Sequence, residues 1–143
     1  MDPVLKREII FDNYQNPYNR ETVIDNKYIK VNSNNESCID NINLYVLFDN
    51  NKIIDIKFDG EACAISTSST SIMIKELIGK TIDEIKKMYQ DYQLLIENGT
   101  ENDSLGECLV YNEVYKQNNR KHCALLPWIA INKAINEYEH SAI

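Results

Sequence analysis

Two short segments in which apolar and polar residues alternate place the strongest limit on the fold of this chain. Their apolar members are Ile42, Leu44, Val46 and Phe48 in the first segment and Ile54, Ile56 and Phe58 in the second. A period of two places the apolar side chains on one face of a strand. Asp49-Asn50-Asn51 between the segments is typical of a turn. The sequence therefore predicts an antiparallel hairpin with an apolar face that other elements must cover.

Helical patterns lie on both sides of this hairpin. Asp2 is a predicted N-cap with Pro3 in the first turn, and Thr81 and Glu84 have the spacing of a capping box. The predicted helices cover residues 2–16, 66–78, 81 onward, 105–116 and 124 onward. Residues 18–41 are expected to be mostly loop, with a strand indicated only at 28–31, and Gly60 is expected to end the second hairpin strand. Strands followed by helices predict an α+β fold, with a small antiparallel sheet of about three strands packed against helices on one face.

Length and charge limit the classes of function. The 143 residues, of which 43% are apolar, predict one domain over residues 1–143. The chain has no run of 18 apolar residues, and its charged start does not resemble a signal peptide, so we expect a cytoplasmic protein without a membrane segment. The net charge of −7 offers no attraction to nucleic acid or to an anionic membrane. We therefore expect protein partners.

Cysteine spacing supplies the main chemical signal. Cys38, Cys63, Cys108 and Cys123 are expected to be thiols or metal ligands, because disulfides are rare in a reducing compartment. None belongs to a CxxC pair, which weakens both a zinc-ribbon and a thioredoxin-like interpretation. Cys108 lies beside apolar neighbours, and we expect it to be an ordinary core residue.

The other three cysteines are placed where they could meet. Cys63 lies between the second strand and the next helix, and Cys123 lies just ahead of the last predicted helix, so both are expected near helix N-termini. Cys38 and Asp40 point the same way if their segment is extended. Together these four residues would form a set of three sulfurs and one oxygen suited to tetrahedral zinc or to iron-sulfur chemistry. From spacing alone, ordinary buried cysteines remain the plainer interpretation.

Four sequence stretches add a family resemblance. They are FDNYQNPYNR at residues 11–20, CID at 38–40, FDGEACAIS at 58–66 and RKHCALLPWIAINKAI at 120–135. Together they resemble the IscU/SufU family of iron-sulfur cluster assembly proteins over residues 5–134. The resemblance implies that Cys38, Asp40, Cys63 and Cys123 are the metal ligands.

The number of residues between Cys63 and Cys123 is large, and in this the chain resembles the zinc-binding SufU-type members of the family. This resemblance implies a zinc-dependent sulfur-transfer protein, an accessory protein that works with a PLP-dependent cysteine desulfurase of the SufS kind. Cys38 would accept persulfide sulfur while the other three ligands retain zinc, and a downstream iron-sulfur scaffold or acceptor protein would receive the sulfur. Arg120, placed as in SufU-like proteins, would stabilise the anionic sulfur or pair with an acidic group of the desulfurase.

Three residues depart from the SufU-like pattern, of which Ala62, in place of a common glycine before Cys63, is the mildest change. Ile39 stands where the family usually has glycine, and a β-branched residue restricts the loop that carries Cys38. His122 stands where IscU scaffolds carry histidine and SufU-like proteins usually carry lysine, so it is an alternative ligand in place of Asp40 or Cys38. A scaffold that assembles a [2Fe–2S] cluster on the same ligands is therefore the second interpretation. A closed structural zinc site is the third.

Overall fold

The predicted hairpin forms the centre of a three-stranded sheet. A computed structural model describes residues 1–36 and 38–141. Strands β1 (Ile29–Asn34), β2 (Asn41–Asp49) and β3 (Lys52–Glu61) pair antiparallel in the order β1-β2-β3. Asn50 and Asn51 both have positive φ, as a tight hairpin turn requires. The sequence prediction of an α+β fold with a small antiparallel sheet is confirmed, and β1 is longer than the segment indicated at 28–31.

Two details of β3 differ from the prediction. Leu47 pairs with Asp55 and Phe48 with Ile53, so Ile54 is the extra residue of a β-bulge. Ile54 is consequently 45% exposed, and Ile53 takes its place in the core. Gly60 does not end the strand but lies inside it with φ +108°, where a Cβ atom would overlap the carbonyl oxygen of Asn41.

Four α-helices complete most of the described fold: α1 (Pro3–Gln15), α2 (Ala64–Leu77), α3 (Ile82–Asn98) and α4 (Asn118–Ser141). Helix α4 packs on β1 and β2, while α2 lies against α1 and α4. The predicted caps form, because the Asp2 side chain accepts a hydrogen bond from the Val4 N–H and the capping box between Thr81 and Glu84 is complete. No helix in the described ranges is both long and apolar enough to cross a membrane.

Two elements near the C-terminal end differ from the prediction. The segment predicted as one helix over 105–116 forms two 3₁₀ segments, Asp103–Tyr111 and Val114–Lys116. Helix α4 begins at Asn118 rather than near Ala124, so Pro127 lies within the helix instead of in its first turn. The earlier start also moves Cys123 away from the helix N-terminus.

The hydroxyl-rich part of α2 is buried and serves packing. Ser68 Oγ contacts the Tyr111 hydroxyl at 2.5 Å, and Ser71 Oγ donates to Asn13 Oδ1 at 2.7 Å. Each of these buried hydroxyls thus has a partner on a neighbouring element, as the interior requires. These contacts fix α2 against α1 and against the first 3₁₀ segment, and its N-terminal end is left facing the cysteines.

Candidate metal centre

Four potential ligands from three separate segments meet at the N-terminal end of α2. The ligand atoms of Cys38, Asp40, Cys63 and Cys123 all lie within 4.8 Å of one another. In a tetrahedral zinc site with Zn–S bonds of about 2.3 Å, the ligand sulfurs are about 3.8 Å apart. The donor set and its spacing therefore fit a single zinc ion after small adjustments of the side chains.

Asp40 is the most constrained of the four. It directly precedes β2 and is 1% exposed. Its Oδ1 accepts the Cys63 backbone N–H at 2.7 Å, and its Oδ2 accepts the Ser66 hydroxyl at 2.6 Å. Burial acts to raise the pKa of Asp40, but these hydrogen bonds outweigh burial and hold the pKa below its usual value. The carboxylate is thus ionised and held at both oxygens.

Cys63 forms the N-cap of α2. Its Sγ accepts the backbone N–H of Ser66 at 3.4 Å and lies 3.8 Å from Asp40 Oδ2. The sequence predicts this thiol near a helix N-terminus, and the structure has it there. Cys63 is thus held at the end of α2 where free backbone N–H groups point toward the site.

Cys123 does not occupy the position predicted for it. It lies in the second turn of α4, not ahead of the helix, and is 4% exposed. Burial and the neighbouring Asp40 and Cys63 raise the pKa of its thiol to about 12. Without a metal, Cys123 is therefore protonated at neutral pH. A bound divalent cation would reverse this preference, because a coordinated thiol is deprotonated.

Cys38 is the exposed member of the set. Its backbone N–H donates to the carbonyl of Asn35, and the Asn35 N–H donates to the carbonyl of Asp40, each at 3.0 Å. These two bonds link Asn35, Cys38 and Asp40 to one another, and Ile39 is 69% exposed. The Cys38 sulfur opens onto a solvent cleft of about 380 Å³ that the other two site cysteines also line.

Arg120 and His122 are exposed and line the same cleft. Within the described part of the chain, the Arg120 side chain makes no ion pair or hydrogen bond, so it is available to an anion entering the cleft. His122 has no nitrogen within the set of four mutually close ligand atoms. Cys108 is 1% exposed in the core, where burial and nearby Glu76 and Glu107 raise its pKa well above the usual value.

One residue of the site was missed by sequence reasoning. The Ser66 hydroxyl contacts Asp40, whereas the sequence pattern predicts only that Ser66 belongs to a helix rich in small polar residues. The signal that could have found it was its position three residues after Cys63, because the third helical residue faces the N-cap side chain.

The match to a family model agrees with this geometry. The chain belongs to the family of NifU-like N-terminal domains, whose model matches residues 5–143. It is 34% identical over 137 residues to the zinc-dependent sulfurtransferase SufU of Bacillus subtilis, covering 94% of this chain and 92% of that protein. The IscU/SufU resemblance noted in the sequence is thus confirmed.

Two further relatives are of the scaffold type. The iron-sulfur cluster assembly scaffold protein IscU of Streptococcus pyogenes is 39% identical over 108 residues, covering 73% of this chain and 67% of that protein. A crystal structure from Fervidobacterium islandicum, provisionally assigned as a cluster assembly scaffold protein for the SUF system, superposes with a TM-score of 0.82. That protein is 32% identical, and the superposition covers 89% of this chain and 93% of the other.

Proposed function

We propose that this protein is a zinc-dependent sulfur-transfer protein of iron-sulfur cluster assembly, in which Cys38 accepts persulfide sulfur from a cysteine desulfurase. One observation carries the proposal: of the three sulfurs gathered beside Asp40, only Cys38 is exposed. The similarity to a zinc-dependent sulfurtransferase supports it. A closed structural site would leave no sulfur open to a partner.

Zinc bound at the four ligands would keep a thiol as thiolate at neutral pH. Asp40, Cys63 and Cys123 are braced by α2 and α4 and would hold the ion, whereas Cys38 lies on a surface loop and would leave it. A carboxylate is a harder ligand than a thiolate, but Asp40 is buried and hydrogen-bonded at both oxygens. Exposure therefore makes Cys38 the ligand that exchanges.

The sulfur-transfer step requires only an exposed thiolate and a persulfide donor. The Cys38 thiolate attacks the terminal sulfur of the donor's persulfide. A new S–S bond forms on Cys38, the S–S bond of the donor breaks, and the donor cysteine leaves as a thiolate. One sulfur atom moves and no external oxidant or reductant is consumed. Arg120 would stabilise the anionic sulfur or pair with an acidic group of the donor.

The finer assignments belong to the same proposal. The donor is a PLP-dependent desulfurase of the SufS kind, whose turnover this protein would stimulate. A downstream iron-sulfur scaffold or acceptor protein takes the sulfur from Cys38. We place the reaction in the cytoplasm and assign it to a single domain of residues 1–143.

The Cys38→Ala variant tests the proposal. We expect it to retain most of its zinc while losing both sulfur acceptance and desulfurase stimulation, because three ligands remain and the acceptor sulfur is gone. Mass spectrometry after incubation with desulfurase and cysteine would show the added sulfur on the wild-type protein but not on Cys38→Ala. Cys108→Ala is the matched control, since that sulfur lies outside the site and both properties should persist. Undiminished stimulation by Cys38→Ala would refute the proposal.

The second candidate is a scaffold that assembles a [2Fe–2S] cluster on the same ligands. His122 favours this candidate because it lines the cleft beside the cysteines, and the IscU relative is a scaffold protein. Anaerobic purification separates the two functions. About one tightly bound zinc per chain is expected of the sulfur-transfer protein. Bound iron with visible charge-transfer bands would favour the scaffold.

A further inference from the structure

We propose that Ser66 is a positioning residue of the metal centre, which keeps three of the ligands together while Cys38 moves. The proposal rests on the zinc site of the proposed function. Ser66 lies in the first turn of α2 and is completely buried. Its hydroxyl and its backbone N–H face the site from within the protein.

The first contact fixes the carboxylate. The Ser66 hydroxyl donates to Asp40 Oδ2 at 2.6 Å, and the backbone N–H of Cys63 holds Oδ1 at 2.7 Å. Both oxygens are therefore oriented by groups at the N-terminal end of α2. Partners of this kind fix the direction from which a carboxylate approaches a metal.

The second contact joins α2 to the ligand on α4. In a regular helix the carbonyl of Cys123 would accept the N–H of residue 127, but residue 127 is proline and has no N–H. The Ser66 hydroxyl lies 3.1 Å from this carbonyl oxygen and donates to it. A hydroxyl has one proton, so Asp40 and the Cys123 carbonyl share it. Pro127 thus leaves the Cys123 carbonyl without its usual helical donor, and the Ser66 hydroxyl donates to that carbonyl instead.

The third contact is to Cys63, whose Sγ accepts the Ser66 backbone N–H at 3.4 Å. A single residue therefore contacts Asp40, Cys63 and the backbone of Cys123. Within the described residues, Ser66 has no hydrogen bond to Cys38. This asymmetry separates three retained ligands from one that is free to leave.

The test compares Ser66→Ala with Ser69→Ala. Ser69 is a matched control because it is buried on the same helix and donates to the next carbonyl of α4, that of Ala124, at 2.7 Å, without touching a ligand side chain. Competition with a chromophoric chelator measures zinc affinity. We expect Ser66→Ala to bind zinc about 10–100-fold more weakly than wild type. We expect Ser69→Ala to stay within about threefold of wild type, because it leaves the ligands' partners intact.

A spectroscopic measurement separates positioning from general destabilisation. With Co²⁺ in place of zinc, Ser66→Ala should change the visible absorption of the metal, which responds to ligand geometry, whereas Ser69→Ala should not. Equal affinity and an unchanged spectrum for Ser66→Ala would overturn the proposal. An equal loss of affinity in Ser69→Ala would overturn it as well. If Ser66→Ala does not fold, Ser66→Thr replaces it in the test, because threonine keeps the hydroxyl. The zinc affinity of Ser66→Thr should stay within about threefold of the wild-type affinity. A loss of about tenfold in that affinity would overturn the proposal.

A double variant links the inference to the movement of Cys38. Cys38→Ala should keep zinc, and Cys38→Ala combined with Ser66→Ala should bind zinc about 10–100-fold more weakly than Cys38→Ala, because the hydroxyl that Asp40 and the Cys123 carbonyl share is gone. Equal zinc affinity of Cys38→Ala and the double variant would contradict the role of Ser66. If wild type binds zinc and transfers sulfur while Ser66→Ala binds zinc equally well, only this inference fails. If wild type binds no zinc, or Cys38→Ala accepts sulfur normally, the proposed function fails.

Discussion

Cys38 and Cys123 have the same side chain, but the thiol of Cys38 is exposed and that of Cys123 is buried. Cys123 is buried on a helix, where the pKa of its thiol rises to about 12, while Cys38 lies exposed on the segment between two strands. A buried thiol needs the metal to become a thiolate and gains nothing from leaving it. An exposed thiol can leave the metal and reach a partner. Exposure therefore distinguishes the two proposed roles within one ligand set.

Arg120 provides a prediction at the scale of one residue. We expect Arg120→Ala to slow sulfur acceptance by about 10–100-fold, which is the effect on the rate of losing one charge-assisted hydrogen bond. The zinc content should stay at the wild-type level. Arg120→Lys should recover part of the rate because it keeps the charge. Single-turnover transfer from the desulfurase, followed by mass spectrometry, measures the effect.

Arg7→Ala is the matched control for that prediction. Arg7 lines a neighbouring cavity that Arg120 also borders, but it does not line the cleft of Cys38. Equal slowing by Arg7→Ala and Arg120→Ala would indicate a general effect of positive charge on docking. A rate unchanged by Arg120→Ala would remove this residue from the proposed step.

Sequence reasoning, with the family resemblance, indicated the four candidate ligands but not their surroundings. Cys38, Asp40 and Cys63 lie in short motifs beside predictable strand and helix ends, so their placement follows from local rules. The burial of Cys123 and the contacts of Ser66 depend on how α2 packs against α4. Such packing joins residues about sixty positions apart, and no local pattern carries that information.

At the scale of secondary structure, Gly60 controls how closely β3 approaches the segment that carries Asp40. Its φ of +108° and the neighbouring Asn41 carbonyl leave no room for a side chain. Asn41 directly follows Asp40, and β3 leads to Cys63, so this close approach brings two candidate ligands together. A Cβ atom at this position would push the two strands apart.

We expect Gly60→Ala to lower the free energy of unfolding by about 2–4 kcal/mol, through left-handed strain and steric overlap together. Gly79→Ala is the matched control, because Gly79 also has positive φ but a Cβ atom at that position would meet no other group within 4 Å. It should cost only about 1–2 kcal/mol, the strain alone. Urea denaturation measures both, and equal losses would show that the close approach has no energetic consequence.

The elements predicted correctly are those with a strong local pattern. The hairpin follows from alternation on both sides of an asparagine turn, and the caps of α1 and α3 follow from short polar signals. Ile54 was assigned to the wrong face because a β-bulge shifts the alternation by one residue. The start of α4 was placed too late because residues 118–122 are polar and Pro127 looked like a first-turn proline.

At the scale of the whole molecule, the proposed site ties together three segments that are distant in sequence. A metal that binds only the folded chain adds stability by mass action. With free zinc about 100-fold above its dissociation constant, the gain is about 2.7 kcal/mol. For a chain of this size, that corresponds to a rise in Tm of roughly 5–10 °C.

Thermal unfolding with zinc and with chelator checks this prediction. The wild-type protein should show the rise in Tm, and Cys63→Ala should show little or none, since it lacks one of the three ligands that we propose to be retained. Cys108→Ala should show the same zinc-dependent rise in Tm as wild type, because its sulfur lies outside the site. Identical Tm values with and without zinc in wild type would mean that metal binding is not coupled to this fold.

The most direct test of the proposed zinc site is X-ray absorption at the zinc edge of the purified wild-type protein. We predict three sulfur neighbours at about 2.3 Å and one oxygen neighbour at about 2.0–2.2 Å, with about one zinc per chain. Cys38→Ala should show two sulfurs and a zinc content close to that of wild type. A shell without sulfur, or a protein that carries iron and no zinc, would contradict the zinc site and the role of Cys38 that depends on it.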